Sequence, residues 1–298
     1  MNTQKDKPKF YRQRLLLSLL HFIDAEITRT ELHKHSFLFS EKTPMGYDFV
    51  PYQYGCYSFQ LDKDLLDLSE QGFIEMIDTK IKLTIDNPIT WLKTKDSNKL
   101  FDYPKEQKRL RRNELIKFVY EHYPYYAINS KITNICSSEV VQKIKQQQIS
   151  LTNEEAIIYT LGYEGISLEA YINKLIKNDI KLLIDVRKNP FSRKFGFSYK
   201  ALSNTLPKLS IDYVHIPELG IESSKRQDLN NQESYKKLFD EYKTTLPNRE
   251  EALNEVLDLQ KKYSRIALTC FEKSHRECHR HCVSDYLTTH HQTKTVHL

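Results

Sequence analysis

Leu182–Ser198 reads LLIDVRKNPFSRKFGFS, and its two halves decide what the rest of the chain must be. Leu182, Leu183 and Ile184 form an unbroken apolar run, the pattern of a strand buried on both faces. The run stops at Asp185. From Arg187 to Lys200 the chain carries five cations (Arg187, Lys188, Arg193, Lys194, Lys200) and no acid, with Phe191, Phe195 and Phe197 among them. An apolar strand ending in a carboxylate and a basic, aromatic loop is how an open α/β sheet builds a site for a phosphorylated, ring-bearing ligand.

The flanking sequence fits such a sheet. Strands are predicted at Ile157 to Leu161, Lys181 to Asp185, Tyr213 to Ile216, Ile266 to Cys270 and Thr295 to Leu298. Helices are predicted at Ser167 to Ile176, Ser198 to Leu206 and His279 to Thr288, with two more between Ser234 and Lys262. This alternation predicts an α/β domain over 156–298, a Rossmann-like, mostly parallel sheet of about five strands joined by right-handed crossovers. Its carboxyl edge collects Gly162-Tyr163-Glu164-Gly165, Asp185-Val186-Arg187, His215 to Gly220, and Cys270-Phe271-Glu272 followed by Cys278-His279-Arg280.

The first half has a different pattern. Leu15, Leu16, Leu19, Phe22 and Ile23 recur at helical spacing within Tyr11 to Ala25. Thr28-Arg29-Thr30-Glu31 fits a capping box that opens a second helix through about Phe39. Ser58 caps a third helix, which Gly72 stops. Phe73 to Met76 and Ile81 to Thr84 alternate around Asp78-Thr79-Lys80 as a hairpin. Helices followed by a two-stranded hairpin predict a mainly α, winged-helix-like domain over 1–103. Its aromatic stretch Phe49 to Gly55 is expected to pack under the third helix rather than to stack on bases. That helix holds Asp62, Asp64, Asp67 and Glu70 against Lys63 alone, a poor surface for phosphates. A basic helical connector is expected over 104–155. Lys108, Arg109, Arg111 and Arg112 lead into its helix, either as a solvated face or as a phosphate-tracking stripe.

Composition narrows the class. The chain has 298 residues, 39% hydrophobic and 28% charged, enough for two globular domains. The formal net charge is +6, which permits a polyanionic partner. Five cysteines, an odd number, fit a reducing compartment better than a disulfide framework. The polar opening MNTQKDKPKF carries no secretory pattern, so a cytoplasmic protein without membrane contact is expected. Only 7 glycines, and no GxxxxGK or GxGxxG string, exclude a P-loop or an ordinary dinucleotide site.

Four separated motifs carry a resemblance. TLGYEGISLEAY, IDVRKNPFSRKFGFS, YVHIPELG and LTCFEKSHRECHR, with a closing VHL, are similar to the domain-of-unknown-function 488 family over about residues 156 to 298. The resemblance implies a small, cytosolic, prokaryotic α/β protein and supplies no reaction. Cys282, His275 and His281 depart from the family pattern. The first half more loosely resembles winged-helix modules fused to such domains, through YDFVPYQYGCYSFQLDKDL.

Three chemistries compete for this edge. An N-glycosidic bond breaks through an oxocarbenium-like state and needs a carboxylate, phosphate clamps and rings that stack an extruded base. Glu164, Asp185 and Glu272 are the candidate carboxylates, and His279 completes the catalytic set. Tyr163, Arg187, Ser192, Arg193, Phe195, Phe197, His215, Cys278 and Arg280 are expected to hold substrate, while Lys188, Lys194 and the Lys108–Arg112 stripe hold nucleic acid. The bland counterpart is an ion pair between Asp185 and Arg193 that only shapes the loop. A rhodanese-like thiol enzyme would use Cys278 or Cys270. Metal binding would draw on Cys270, His275, Cys278, His279 and Cys282, but C-x7-C-x3-C lacks the paired C-x2-C of zinc modules, so no metal or cofactor is expected. The expected function is therefore a DNA-directed, glycosylase-type hydrolysis of the N-glycosidic bond that releases a base, normal or modified, of use in defence against phage DNA. The alternatives are a non-catalytic nucleic-acid or nucleotide sensor, whose winged-helix-like domain relays its state to a protein partner, and the thiol enzyme.

Overall fold

The computed structural model describes residues 6–23, 26–226 and 232–298. The chain divides into two compact units, Met1–Ser150 and Leu151–Leu298.

The first unit begins with α1 (Tyr11–Ile23), which buries Leu15, Leu16, Leu19 and Ile23 as its spacing requires. A short β1 (Ile27–Thr28) runs into α2 (Arg29–Ser40). The capping box forms: Glu31 N donates to Thr28 Oγ1 at 3.2 Å, and Thr28 N donates to Glu31 Oε2 at 2.8 Å. An antiparallel ribbon follows, β2 (Val50–Tyr52) and β3 (Gly55–Tyr57). It is built from the aromatic stretch, and its rings meet α2 as well as the next helix. Phe49 lies edge-on to Phe37, and Tyr57 stacks on His33. Ser58 caps α3 (Phe59–Glu70) through Leu61 N at 3.2 Å. The hairpin β4 (Ile74–Ile77) and β5 (Lys80–Leu83) turns at Asp78, whose φ is 54°. With β1 it makes an antiparallel sheet in the order β1-β5-β4.

Among the described residues four α-helices follow: α4 (Thr94–Phe101), α5 (Lys105–Arg109), α6 (Arg112–His122) and α7 (Ser138–Leu151). Leu115, Val119 and Tyr120 of α6, with Val140 and Ile144 of α7, join the core that holds the leucines of α1. Most of the 104–155 stretch is thus integral to the first core. The acids of α3 also have internal work. Asp64 takes both an Arg12 pair (2.6 Å) and the Tyr47 hydroxyl (2.8 Å), Asp62 pairs with Arg29, and Asp67 with Lys63.

The second unit is a five-stranded sheet, all parallel, in the order β10-β6-β9-β7-β8. In chain order it comprises β6 (Ile157–Gly162), α8 (Leu168–Lys177), β7 (Leu182–Asp185), α9 (Tyr199–Thr205), β8 (Asp212–His215), α10 (Gln232–Thr245), α11 (Glu250–Tyr263), β9 (Arg265–Cys270), α12 (Arg280–His291) and β10 (Thr295–His297). The three central strands are buried along their whole length, which is why they read as continuous apolar runs. Ile158, Ile184 and Leu268 meet Phe239, Val256 and Leu287 in one core. The connection leaving β7 runs to β8 at one edge, and that leaving β9 runs back to β10 at the other. The chain therefore diverges above neighbouring strands β7 and β9, where open α/β sheets place their ligands. Among the described residues no helix is long and apolar enough to cross a membrane.

Candidate functional site

The loop after β7 is held by Asp185 and Arg187. Asp185 is fully buried, and Arg187 is 6% exposed. Two residues apart on extended chain, they face the same way. Arg187 donates from Nε to Oδ1 at 2.8 Å and from Nη2 to Oδ2 at 2.5 Å. Tyr213 Oη adds a donor to Oδ2 at 2.7 Å. Arg187 Nη1 donates to Tyr163 Oη (2.7 Å) and to the Phe197 carbonyl (2.9 Å). Burial works against a charged Arg187, but the Asp185 carboxylate outweighs it and raises the guanidinium pKa above its ordinary value. The structural partner of Asp185 is thus Arg187. The expected Asp185–Arg193 pair is replaced, because Arg193 stands exposed further along the loop.

Rings and a lysine fix the remainder of the loop. Phe197 is fully buried and stacks on Tyr163, with ring centres 4.4 Å apart and planes at 10°. Stacking Phe197 on an extruded base is therefore excluded, since its face is already covered. Lys194 Nζ donates to the Tyr163 carbonyl at 2.5 Å and lies over the Phe197 ring. Ser192 Oγ accepts from Lys194 N at 3.2 Å. His215 Nε2 meets the Arg187 carbonyl at 2.8 Å. Phe191 and Phe195 stay exposed. Two glycines allow the strand ends to close together. A Cβ on Gly162 would lie 1.8 Å from the Glu272 carbonyl oxygen, and one on Gly220 would lie 2.2 Å from Lys188 N.

The β9 end supplies the polar floor. His279 Nε2 meets the Val186 carbonyl at 2.8 Å, so this nitrogen carries the proton. Its bare Nδ1 then faces Cys270 Sγ at 3.8 Å and Cys278 Sγ at 3.9 Å. These three ligand atoms lie within 4.8 Å of one another. Glu272 Oε2 accepts from Cys270 Sγ at 3.4 Å, and Glu272 Oε1 pairs with Arg226 Nη2 at 2.9 Å. Burial acts to raise the Glu272 pKa, but the charge of Arg226 and a thiol hydrogen bond from Cys278 outweigh it and lower it. Arg280 is buried and donates to the carbonyls of Glu272 (2.7 Å) and Lys273 (3.0 Å), so it shapes the loop after β9. Glu164 is exposed and accepts from Lys273 N at 3.0 Å.

A cleft of about 320 Å³ opens above these residues. Tyr163, Arg187, Lys188, Ser192, Arg193, Cys270 and His279 line it, all from the expected set. Asn189, Phe191, Ile221, Arg226 and Phe271 line it too. Arg226 and Phe271 were not singled out for any role in the sequence, and for Arg226 no motif marks it. Cys278 is fully buried behind the cleft, and burial together with its neighbour Cys270 pushes its thiol pKa well up, which closes the nucleophile role expected of it. Cys278 also precedes α12 in extended conformation, so it shares no helix face with Cys282. His275 stacks on His297 and Cys282 lies beside His281, and neither joins the group of Cys270, Cys278 and His279.

The Lys108–Arg112 stripe divides by role. Lys108 lies over the Phe22 ring at 4.2 Å, and Arg111 Nη1 donates to the Lys108 and Leu110 carbonyls at 2.5 and 2.8 Å. Arg109 and Arg112 are exposed.

An all-parallel α/β domain with a basic, aromatic cleft at the carboxyl ends of its strands is the class that fold and site define together. Residues 167–287, within the second unit, match the family model described as Domain of unknown function DUF488, the family that the four motifs resemble. No curated protein matches the chain.

Proposed function

We propose that this protein is a nucleic-acid-directed hydrolase that holds a nucleotide of DNA in the β7–β9 cleft and cleaves its N-glycosidic bond. The supporting observation is the lining of the cleft. Lys188, Arg193 and Arg226 line it together with the exposed rings of Phe191 and Phe271, with no acidic side chain among the lining residues. Cations attract phosphates and rings stack a base. The carboxylate that the oxocarbenium-like state requires is Glu272, which touches both Cys270 and Arg226 of the lining. Glu272 is itself outside the lining but is bonded to two of its residues, whereas Asp185 has both oxygens committed to Arg187 and Tyr213 and the exposed Glu164 accepts from Lys273 N, outside the lining. In this reading the first unit is a winged-helix-like DNA contact through Arg109 and Arg112. The setting is cytoplasmic, and a foreign or modified base, as in phage DNA, is the natural target.

One observation favours a second reading, a nucleotide sensor without turnover. The carboxylate at the β7 end is wholly engaged by protein groups, as in a site built to hold. The test is to incubate the full chain with duplexes bearing normal and modified bases and to score abasic sites by alkaline strand scission. Abasic sites are expected, reduced at least ~100-fold by Glu272→Gln. DNA binding with no abasic site in any duplex would overturn the hydrolase and leave the sensor.

A further inference from the structure

We infer that Cys270, Cys278 and His279 form a zinc site whose open position faces the cleft. The three ligand atoms come from the end of β9 and the turn before α12, within 4.8 Å of one another. A tetrahedral zinc, with sulfur at about 2.3 Å and nitrogen at about 2.0–2.1 Å, sets its ligand atoms roughly 3.5–3.8 Å apart. The two Sγ–Nδ1 separations, 3.8 and 3.9 Å, already stand near that value. His279 is also oriented as a metal-bound imidazole is. Its far nitrogen donates to the Val186 carbonyl, which fixes the tautomer and leaves Nδ1 as a lone pair aimed between the sulfurs.

Charge supports the same assignment. Two thiolates balance a divalent ion, and Arg226 balances Glu272, so filling the site adds no net charge to a buried region. Sulfur and imidazole together select zinc over magnesium or calcium. Binding is balanced without redox chemistry. Two S–H bonds break and their protons pass to solvent, while two Zn–S bonds and one Zn–N bond form. Cys270 and His279 line the cleft and Cys278 lies behind it, so the fourth position opens toward a bound ligand. Three protein ligands and one open position mark a zinc that activates water. Glu272 Oε2, 3.4 Å from Cys270 Sγ, is placed to take the proton of that water. Only this last role rests on the hydrolase reading; the metal site stands on the cluster alone.

The experiment uses the full chain and Zn²⁺ alone. Elemental analysis after purification should find about one zinc per chain. After chelation, Co²⁺ should give a thiolate-to-cobalt charge-transfer band with a tetrahedral ligand-field spectrum. Cys270→Ser and His279→Gln should weaken zinc binding at least ~100-fold, while Cys282→Ser, beside His281, should leave it unchanged. If a ligand variant fails to fold, the wild-type cobalt spectrum decides. Absence of that spectrum, wild-type zinc affinity in Cys270→Ser, or a Cys270–Cys278 disulfide in the purified protein would overturn the site. Zinc bound with no base release from any duplex would overturn the hydrolase reading and keep the site. Base release undiminished by metal removal would keep that reading and overturn the role given to the metal.

Discussion

At the scale of single residues, Asp185 and Glu272 show how two strand-end carboxylates diverge. Asp185 is fully buried and clamped on both oxygens by Arg187. Replacing it with asparagine leaves a buried guanidinium without its anion, a loss of about 3–5 kcal/mol. Thermal melts of Asp185→Asn should therefore show a large fall in stability, whereas Glu272→Gln, which breaks a less buried pair with Arg226, should show a smaller one. A wild-type melt for Asp185→Asn would remove its structural role. The pairing itself was half legible in the sequence. The spacing of two placed Asp185 and Arg187 on one side, but nothing in the string chose Arg187 over Arg193 as partner. That choice follows from the Tyr163 hydroxyl and Phe197 carbonyl, which anchor the other edge of the guanidinium. Arg226 was illegible for a related reason. Its partners Glu272 and Cys270 lie far along the chain, and only tertiary structure brings them together.

Among the elements, strands and helices of the second unit were read nearly to their ends, because fully buried parallel strands and amphipathic crossovers leave strong patterns. The ribbon β2–β3 was not, since three-residue strands with a proline at Pro51 carry too little periodicity to register. The close approach of the strand ends was also hidden. Gly162 reads as an ordinary strand-end glycine, yet a Cβ there would meet the Glu272 carbonyl at 1.8 Å. Gly162→Ala should force β6 and the loop after β9 apart, costing about 3 kcal/mol or more. Chemical denaturation checks this, and a midpoint equal to wild type would contradict the geometry. The box at the start of α2 is a milder case. Thr28→Ala should lower stability by about 1 kcal/mol.

On the scale of the whole molecule, the first unit carries a built-in pH dependence. His35 is buried, with Tyr103 Oη at 3.1 Å from Nδ1 and the Leu110 carbonyl at 3.2 Å from Nε2, and burial, assisted by the charge of Arg111, pushes its pKa down to about 4. The folded value lies below the unfolded value of about 6.5. Neutral His35 thus contributes stability that is complete above pH 6.5 and lost as pH falls toward 4. The difference amounts to roughly 3 kcal/mol at most. Denaturation between pH 7 and 4 should show it, and His35→Gln should flatten that slope. Charge at the second unit is the other whole-molecule lever. Arg193→Ala should weaken DNA binding about equally across sequences and reduce the salt slope by about one.

The claim on which the account turns is that a nucleotide of DNA enters the β7–β9 cleft. Photo-crosslinking of the full chain to DNA bearing halogenated bases, with the modified peptides mapped by mass spectrometry, tests it most directly. Adducts are expected on Phe191 or Phe271, the exposed rings that line the cleft. Adducts confined to residues 1–150, with none on those two rings, would contradict it.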